Sequence, residues 1–90
     1  MDSSEYWQML FESWPPSIPP RGIVVTSFQE SIPFVNFMIR DGMIVLERDK
    51  PDSHDARKVV LPFGSIAALK ITATFELDRF KELGFRAPKQ

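Results

Sequence analysis

Residues 22–73 constrain the fold of this chain more than any other stretch. They contain five short runs rich in apolar and β-branched residues, with turn signals between them. At the centre, two runs meet at Asp41-Gly42. Asp-Gly between alternating apolar residues is a strong signal for a two-residue hairpin turn in which both residues have positive φ. We therefore expect an antiparallel hairpin made of residues 32–40 and 43–47.

Three further runs, residues 23–28, 58–61 and 66–72, complete a set of five predicted strands. The connections are short, except for one charged loop between the third and fourth strands. This pattern is typical of a meander that closes on itself. The sequence therefore predicts a five-stranded, strongly bent antiparallel β-barrel over residues 22–73.

The predicted second strand, residues 32–40, is apolar on both of its faces. Phe34 and Met38 alternate with Phe37 and Ile39, so strict alternation puts them on opposite faces. A strand of this kind is buried on both sides or meets another subunit. Phe34, Phe37 and Ile39 are therefore candidate interface residues.

Helices are predicted on either side of the barrel. Asp2 and Glu5 have capping-box spacing, and an apolar stripe follows, so we expect a helix over residues 2–14 that carries Trp7, Leu10, Phe11 and Trp14. Residues 15–21 contain four prolines and predict a stiff strap. A second helix is expected over residues 74–85, with Thr74 as its cap and Gly84 as its left-handed stop.

Length and charge limit the classes of function. Ninety residues support one hydrophobic core, so residues 1–90 are expected to form one domain. The net charge of −1 supplies no general attraction to DNA or to an acidic membrane. The chain has no cysteine, no signal-peptide pattern and no apolar run of membrane-spanning length. We expect a cytoplasmic protein with neither a membrane nor DNA as its partner.

Two segments resemble the motifs of a known family. The segment Val59-Val-Leu-Pro-Phe-Gly-Ser-Ile-Ala-Ala-Leu-Lys-Ile71 is similar to the second Sm motif, and Ile39-Arg-Asp-Gly-Met-Ile-Val-Leu46 is more loosely similar to the first. The order of a helix, a proline-containing link and five bent strands also resembles the Sm-like (LSm or Hfq-like) small β-barrel family. The resemblance covers residues 4–72 and implies a ring of subunits that binds RNA at its pore.

The resemblance also implies a ligand site, for which the candidate residues are Arg40, Asp41, Met43, Phe63 and Gly64. Met43 stands where the RNA chaperones of this family have a stacking aromatic residue, and Phe63 stands where they have a cation or histidine. Phe63 has two interpretations. It is either a platform on which a base stacks or an apolar residue of the core or of a subunit interface.

No constellation of residues indicates catalysis. The single histidine, His54, lies among aspartates in the charged loop, whereas a metal site needs three or four convergent ligands. No serine has a second histidine as its base, and no glycine-rich loop opens a helix. We expect a protein that is not an enzyme, with no catalytic residues, no metal and no cofactor.

Two hypotheses of function follow. The first is an Sm-like module that forms a homo-oligomer, with RNA as a candidate ligand. The second is an SH3-like protein-interaction or scaffold domain that binds a protein partner and no nucleic acid. The first hypothesis predicts a ring of subunits. Closure of such a ring would leave no exposed edge strands.

Overall fold

The computed structural model describes residues 2–89, which form an N-terminal helix and two small antiparallel sheets. Helix α1 spans Ser3–Glu12, and six strands follow: β1 Gly22–Thr26, β2 Ser31–Phe34, β3 Asn36–Arg40, β4 Met43–Glu47, β5 Lys58–Pro62 and β6 Ile66–Lys70. The strand orders are β2-β1-β6 and β3-β4-β5. The predicted helix-plus-β class is confirmed. The prediction of five strands in a closed barrel is wrong.

The sixth strand arises because the predicted second strand is interrupted by a bulge. The Val35 N–H donates to the Glu47 carbonyl at 2.8 Å, and Asn36 also lies opposite Glu47. Two residues opposite one define a β-bulge, which bends the strand and reverses its alternation. β2 and β3 are therefore separate strands, joined at a bend where the two sheets meet.

The bulge also corrects the predicted interface. Phe34 faces the core before the bulge, and Phe37 and Ile39 face the core after it, because the alternation shifts by one residue. The rings of Phe34 and Phe37 lie 6.2 Å apart. These three residues belong to the core of one chain, and the apolar side chain that points outward from β3 is Met38.

The barrel does not close, because β5 and β6 diverge. The short 3₁₀ turn Phe63–Ser65 connects them, but β5 pairs with β4 and β6 pairs with β1. Within residues 2–89, each of these two strands has one paired neighbour. The result is a bent, open layer of two three-stranded sheets joined where β2 continues into β3, with β5 at the far end of one sheet and β6 at the far end of the other; β2 and β3 are the remaining end strands.

Helix α1 packs across the inner side of the two sheets. The Phe11 ring lies 5.0 Å from the Phe37 ring and 6.0 Å from the Phe63 ring. Fully buried aliphatic residues surround this aromatic centre, among them Val24, Ile32, Ile44 and Leu46. Such a core is sufficient for a chain of this length.

The start of α1 is confirmed, and its end lies two residues before the predicted one. Asp2 accepts hydrogen bonds from the N–H groups of Ser4 and Glu5 at 3.0 and 3.3 Å, as an N-cap residue does. The helix ends at Glu12. Trp14 lies beyond it, and its indole N–H donates to the Ile18 carbonyl at 2.9 Å. Ile18 is buried and fixes the strap against the core.

The C-terminal helix is shorter than predicted. A 3₁₀ helix spans Leu77–Leu83, and Glu76 precedes it without a capping side-chain bond, so the prediction that Thr74 is the cap is wrong. No residue of this helix is buried, so no packing extends it into a longer helix. Its predicted stop is confirmed, because Gly84 has φ 94°. Across residues 2–89, no helix has both the length and the apolar character needed to cross a membrane.

Candidate functional site

Phe63, the residue on which the RNA interpretation depends most, lies in the core. Its side chain has no exposed surface, and its ring packs near Phe11. A base can stack only on an accessible ring face. Of the two interpretations of Phe63, this position favours the apolar core residue. Gly64 lies in the turn against which α1 packs.

Asp41 and Gly42 hold the hairpin turn against α1. The Gln8 side-chain amide donates to Asp41 Oδ1 at 3.1 Å, and its Oε1 accepts the Gly42 N–H at 2.9 Å. Gly42 has φ 79°, whereas Asp41 does not have a positive φ. The predicted two-residue turn is therefore present, but only its second residue has the left-handed conformation. We call these two hydrogen bonds of Gln8 the Gln8 clamp. It was not predicted from the sequence.

Arg40 and Met43 lie side by side on the outer face of the second sheet. The registers of β3, β4 and β5 arrange this face in three cross-strand rows. The three rows are Asn36, Glu47 and Lys58; Met38, Val45 and Val60; and Arg40, Met43 and Pro62. The first row is polar and contains an ion pair of 3.7 Å between Lys58 and Glu47. We call the second row, Met38, Val45 and Val60, the outer apolar row.

The outer apolar row is an unusual feature for a sheet that faces solvent. Met38 is 74% exposed and Val60 is 60% exposed. Single exposed apolar residues are normal, whereas contiguous apolar patches larger than a few hundred Å² mark interaction sites or aggregation liabilities. Sequence reasoning missed this row, although the two-residue turn requires Met38 to lie opposite Val45. The misleading signal was the alternation of the second strand, which the bulge reverses.

The β5 edge offers unpaired backbone groups. The Phe63 N–H donates to the Gly42 carbonyl at 3.0 Å, and the Arg48 N–H donates to the Arg57 carbonyl at 2.9 Å. Hydrogen-bonded pairs alternate along an antiparallel ladder, so Leu61 and Val59 also bond to β4. The backbone groups of Lys58, Val60 and Pro62 therefore point away from β4. Pro62 offers only its carbonyl.

The β6 edge offers a second set of groups. The Thr26 N–H donates to the Glu30 carbonyl at 2.9 Å on the β2 side, and the Ser27 N–H donates to the Ser65 carbonyl at 2.8 Å on the β6 side. By the same alternation, Val25 exchanges bonds with Ala68, its partner in the register. The backbone N–H and carbonyl of Leu69 therefore point outward, while its side chain packs against the core.

The charged loop around His54 has a structural explanation. Asp52 Oδ1 accepts the N–H groups of His54 and Ala56 at 2.7 and 2.9 Å. These backbone hydrogen bonds, first from Ala56 and then from His54, lower the pKa of Asp52. Among residues 2–89, no group of three histidine, cysteine, aspartate or glutamate side chains is placed to hold a metal.

Comparison with known proteins does not assign this chain to a family. Neither the protein-family models nor the curated proteins nor the solved structures contain a match. The Sm-like resemblance therefore remains a hypothesis drawn from the sequence, and function must be argued from the two open edges and the outer apolar row.

Proposed function

We propose that this chain is a non-enzymatic binding module that assembles head to tail, with β5 of one copy paired to β6 of the next. The observation that carries the proposal is the pair of open edges at the two ends of one bent layer. Edges of this kind join other strands through their backbone groups. Because β5 and β6 differ, their contact is heterologous. A heterologous contact repeats from copy to copy and forms a ring if the rotation between copies closes, or an open filament if it does not. The Sm-like resemblance implies the ring.

The faces of the two edges support head-to-tail pairing. Residues that exchange bonds across an antiparallel ladder lie directly opposite each other, with their side chains on one face. The backbone groups of both Val60 and Leu69 point toward the open edge of their sheet. The Val60 side chain lies on the outer face, whereas the Leu69 side chain packs against the core. Pairing β5 with β6 of the next copy therefore makes the outer face of one copy continuous with the inner face of the next.

In one register of this pairing, Val60 lies opposite Leu69 of the next copy. Leu69 already lies in a row with Val24 and Ile32, which are both fully buried. The outer apolar row then extends the core of the neighbouring copy. Complete burial of a valine or methionine side chain contributes about 1.5 to 3 kcal/mol. In this arrangement, the exposed Met38 and Val60 side chains contribute to the contact between copies.

A symmetric dimer through two β5 strands is less favourable. It would place Val60 opposite Val60 of the other copy and join two outer faces. The apolar row would become twice as long and would stay exposed on the same side. Pro62 would also leave carbonyls without a donor in the new ladder. The open edges therefore favour the heterologous contact.

The Sm-like resemblance supports the same assembly. β2 and β3 together occupy the place of the long second strand in that layout, and the bulge at Val35 supplies its bend. The resemblance extends the proposal to RNA as the ligand of the ring. The support for RNA is Arg40, exposed beside Met43, whereas Phe63 gives none because it is buried. A protein ligand is the alternative.

Light scattering after size exclusion tests the assembly. We expect five to seven copies at high protein concentration. Val60→Pro removes an outward N–H without removing a bond to β4, so it should yield monomers with unchanged circular dichroism. Val60→Thr retains the N–H and is the matched control. A wild-type monomer or dimer at all concentrations would contradict the proposal.

Fluorescence anisotropy tests the ligand separately. Uridine-rich and adenine-rich oligonucleotides are titrated at two salt concentrations into the assembled protein and into the Val60→Pro monomer. RNA binding should weaken with salt and in Arg40→Gln, because contacts between cations and phosphates depend on salt. If neither oligonucleotide binds, the RNA part of the proposal is wrong and the assembly part is unaffected.

A further inference from the structure

The C-terminal residues 75–85, which we call the clasp, form a small unit with their own aromatic packing. The Phe75 and Phe80 rings lie 5.5 Å apart, and the Phe80 and Phe85 rings lie 6.1 Å apart. The N–H groups of Gly84 and Phe85 donate to the Lys81 and Phe80 carbonyls at 3.0 and 3.1 Å, which closes the end of the helix. These contacts lie within the clasp and do not depend on the rest of the chain.

Two hydrogen bonds connect the clasp to the strap, and one ion pair within the clasp joins their partners. Arg79 Nη2 donates to the Ser17 carbonyl at 2.8 Å, and Ser17 Oγ donates to Glu82 Oε1 at 2.5 Å. Arg79 Nε also pairs with Glu82 Oε2 at 2.8 Å, so the three groups form a closed triangle. Arg79 lies 5.6 Å from the centre of the Phe75 ring, which orients the guanidinium.

Apolar contact between the clasp and the body is slight. Leu83 shares a hollow of about 400 Å³ with residues of the outer side of α1: Tyr6, Met9, Leu10, Glu12 and Ser13. Tyr6 and Met9 are more than half exposed, and Leu77 of the clasp is 82% exposed. Residues 71–76, which connect β6 to the helix of the clasp, contain no helix or strand. Segments with few buried apolar contacts open at low cost.

We propose that the clasp is a conformational switch that opens as a unit about residues 71–74 when the Ser17–Arg79–Glu82 triangle breaks. The closed state places Leu83 over the outer side of α1. The open state exposes more of Leu10, which is partly buried in the closed state, and keeps the phenylalanine packing within the clasp. The triangle contains no residue of β5 or β6, so its opening can be tested separately from the pairing of those strands.

The chain provides a matched pair of variants for the test. Arg79–Glu82 and Lys81–Asp78 are both ion pairs with i,i+3 spacing on the same 3₁₀ helix, but only the first contacts the strap. Arg79→Gln breaks the triangle, and Lys81→Gln removes the other pair. Ser17→Ala is a second variant: it removes the hydroxyl bond to Glu82 and keeps the backbone carbonyl that accepts from Arg79.

Nuclear magnetic resonance of the full chain distinguishes opening from local unfolding. In Arg79→Gln and in Ser17→Ala, we expect the open population to rise about threefold to tenfold, the range for losing one or two surface contacts. The Leu83 and Leu10 methyl signals should shift, as should the Trp14 indole N–H beside the strap, while the Gly84 and Phe85 amides stay protected. Lys81→Gln should leave the Leu10 and Trp14 signals in place.

Two outcomes would overturn the proposal. In the first, Arg79→Gln and Lys81→Gln give the same shifts at Leu10 and Trp14, which means that the triangle does not hold the clasp. In the second, protection of Gly84 and Phe85 is lost together with the Leu83 contact, which means that the segment unfolds instead of opening as a unit.

Discussion

The two faces of the second sheet both carry apolar residues but differ in what covers them. On the inner face, Ile44 and Leu46 are 1% and 0% exposed, because α1 and the aromatic centre lie over them. On the outer face, Met38 and Val60 are mostly exposed. Alternation along a strand decides which residues share a face, but only the rest of the molecule decides which face is covered. The proposed assembly would cover the outer face with a neighbouring copy.

The largest expected effect is on the inner face. Phe63→Ala should leave a cavity beside Phe11 and lower the free energy of unfolding by roughly 3 to 5 kcal/mol. Urea denaturation followed by tryptophan fluorescence measures this loss. If the variant keeps wild-type stability but no longer binds an oligonucleotide, Phe63 is a stacking residue and the assignment to the core is wrong.

The Asp41-Gly42 turn between β3 and β4 should give the next largest effect. Gly42→Val places a β-branched side chain at φ 79°, which should cost roughly 1 to 3 kcal/mol. Gly42→Asn is the control, because asparagine tolerates the left-handed conformation better. Thermal melts of the two variants measure the difference. Equal melting temperatures for both variants and the wild type would show that this turn does not constrain the hairpin.

On the outer face, stability and assembly should separate. Met38→Ser should change the free energy of unfolding of the dilute monomer by less than about 0.5 kcal/mol, as surface substitutions do. At high concentration, the same variant should assemble more weakly than the wild type. Urea melts at two protein concentrations measure both effects. A large loss of stability in the dilute monomer would mean that Met38 already packs within its own chain.

These two faces also show what the sequence could predict. The Asp-Gly turn, the N-cap at Asp2 and the stop at Gly84 were predictable, because each depends on a few adjacent residues. The bulge at Val35 and Asn36 was not, because it depends on how β4 meets a bent strand. The outer apolar row was hidden for the same reason. The Gln8 clamp joins residues more than thirty positions apart, and no local pattern signals it.

The smallest expected effect is the opening of the clasp at low pH. It involves Glu82, whereas the apolar residues of the two faces do not titrate. Hydrogen bonds from Ser17 and then Arg79 lower the pKa of Glu82 below its ordinary value of 4.5. Because the pKa is lower in the closed state, the triangle is fully formed above the ordinary pKa and is lost as pH falls through the lowered one. Leu83 methyl signals followed from pH 7 to pH 3 should show opening only at the acid end.

Glu82→Gln is the control for the acid titration. In this variant the position of the Leu83 signals should no longer depend on pH. The readout must be local, because hydrogen bonds also lower the pKa of Asp2, with Ser4 as the largest cause, and the pKa of Asp52, with Ala56 as the largest cause. Opening that persists with the same midpoint in Glu82→Gln would assign the transition to another carboxylate.

The most direct test of head-to-tail assembly is a cross-link between two copies. The chain has no cysteine, so Val60→Cys and Leu69→Cys each introduce a single thiol. Directly opposite residues in an antiparallel ladder lie about 5.5 Å apart between Cα atoms, within the range of a disulfide. Under oxidation, we expect a covalent pair when the two variants are mixed and none when either is alone. A covalent pair from Val60→Cys alone would contradict the pairing of β5 with β6, and none from the mixture would contradict the register in which Val60 lies opposite Leu69.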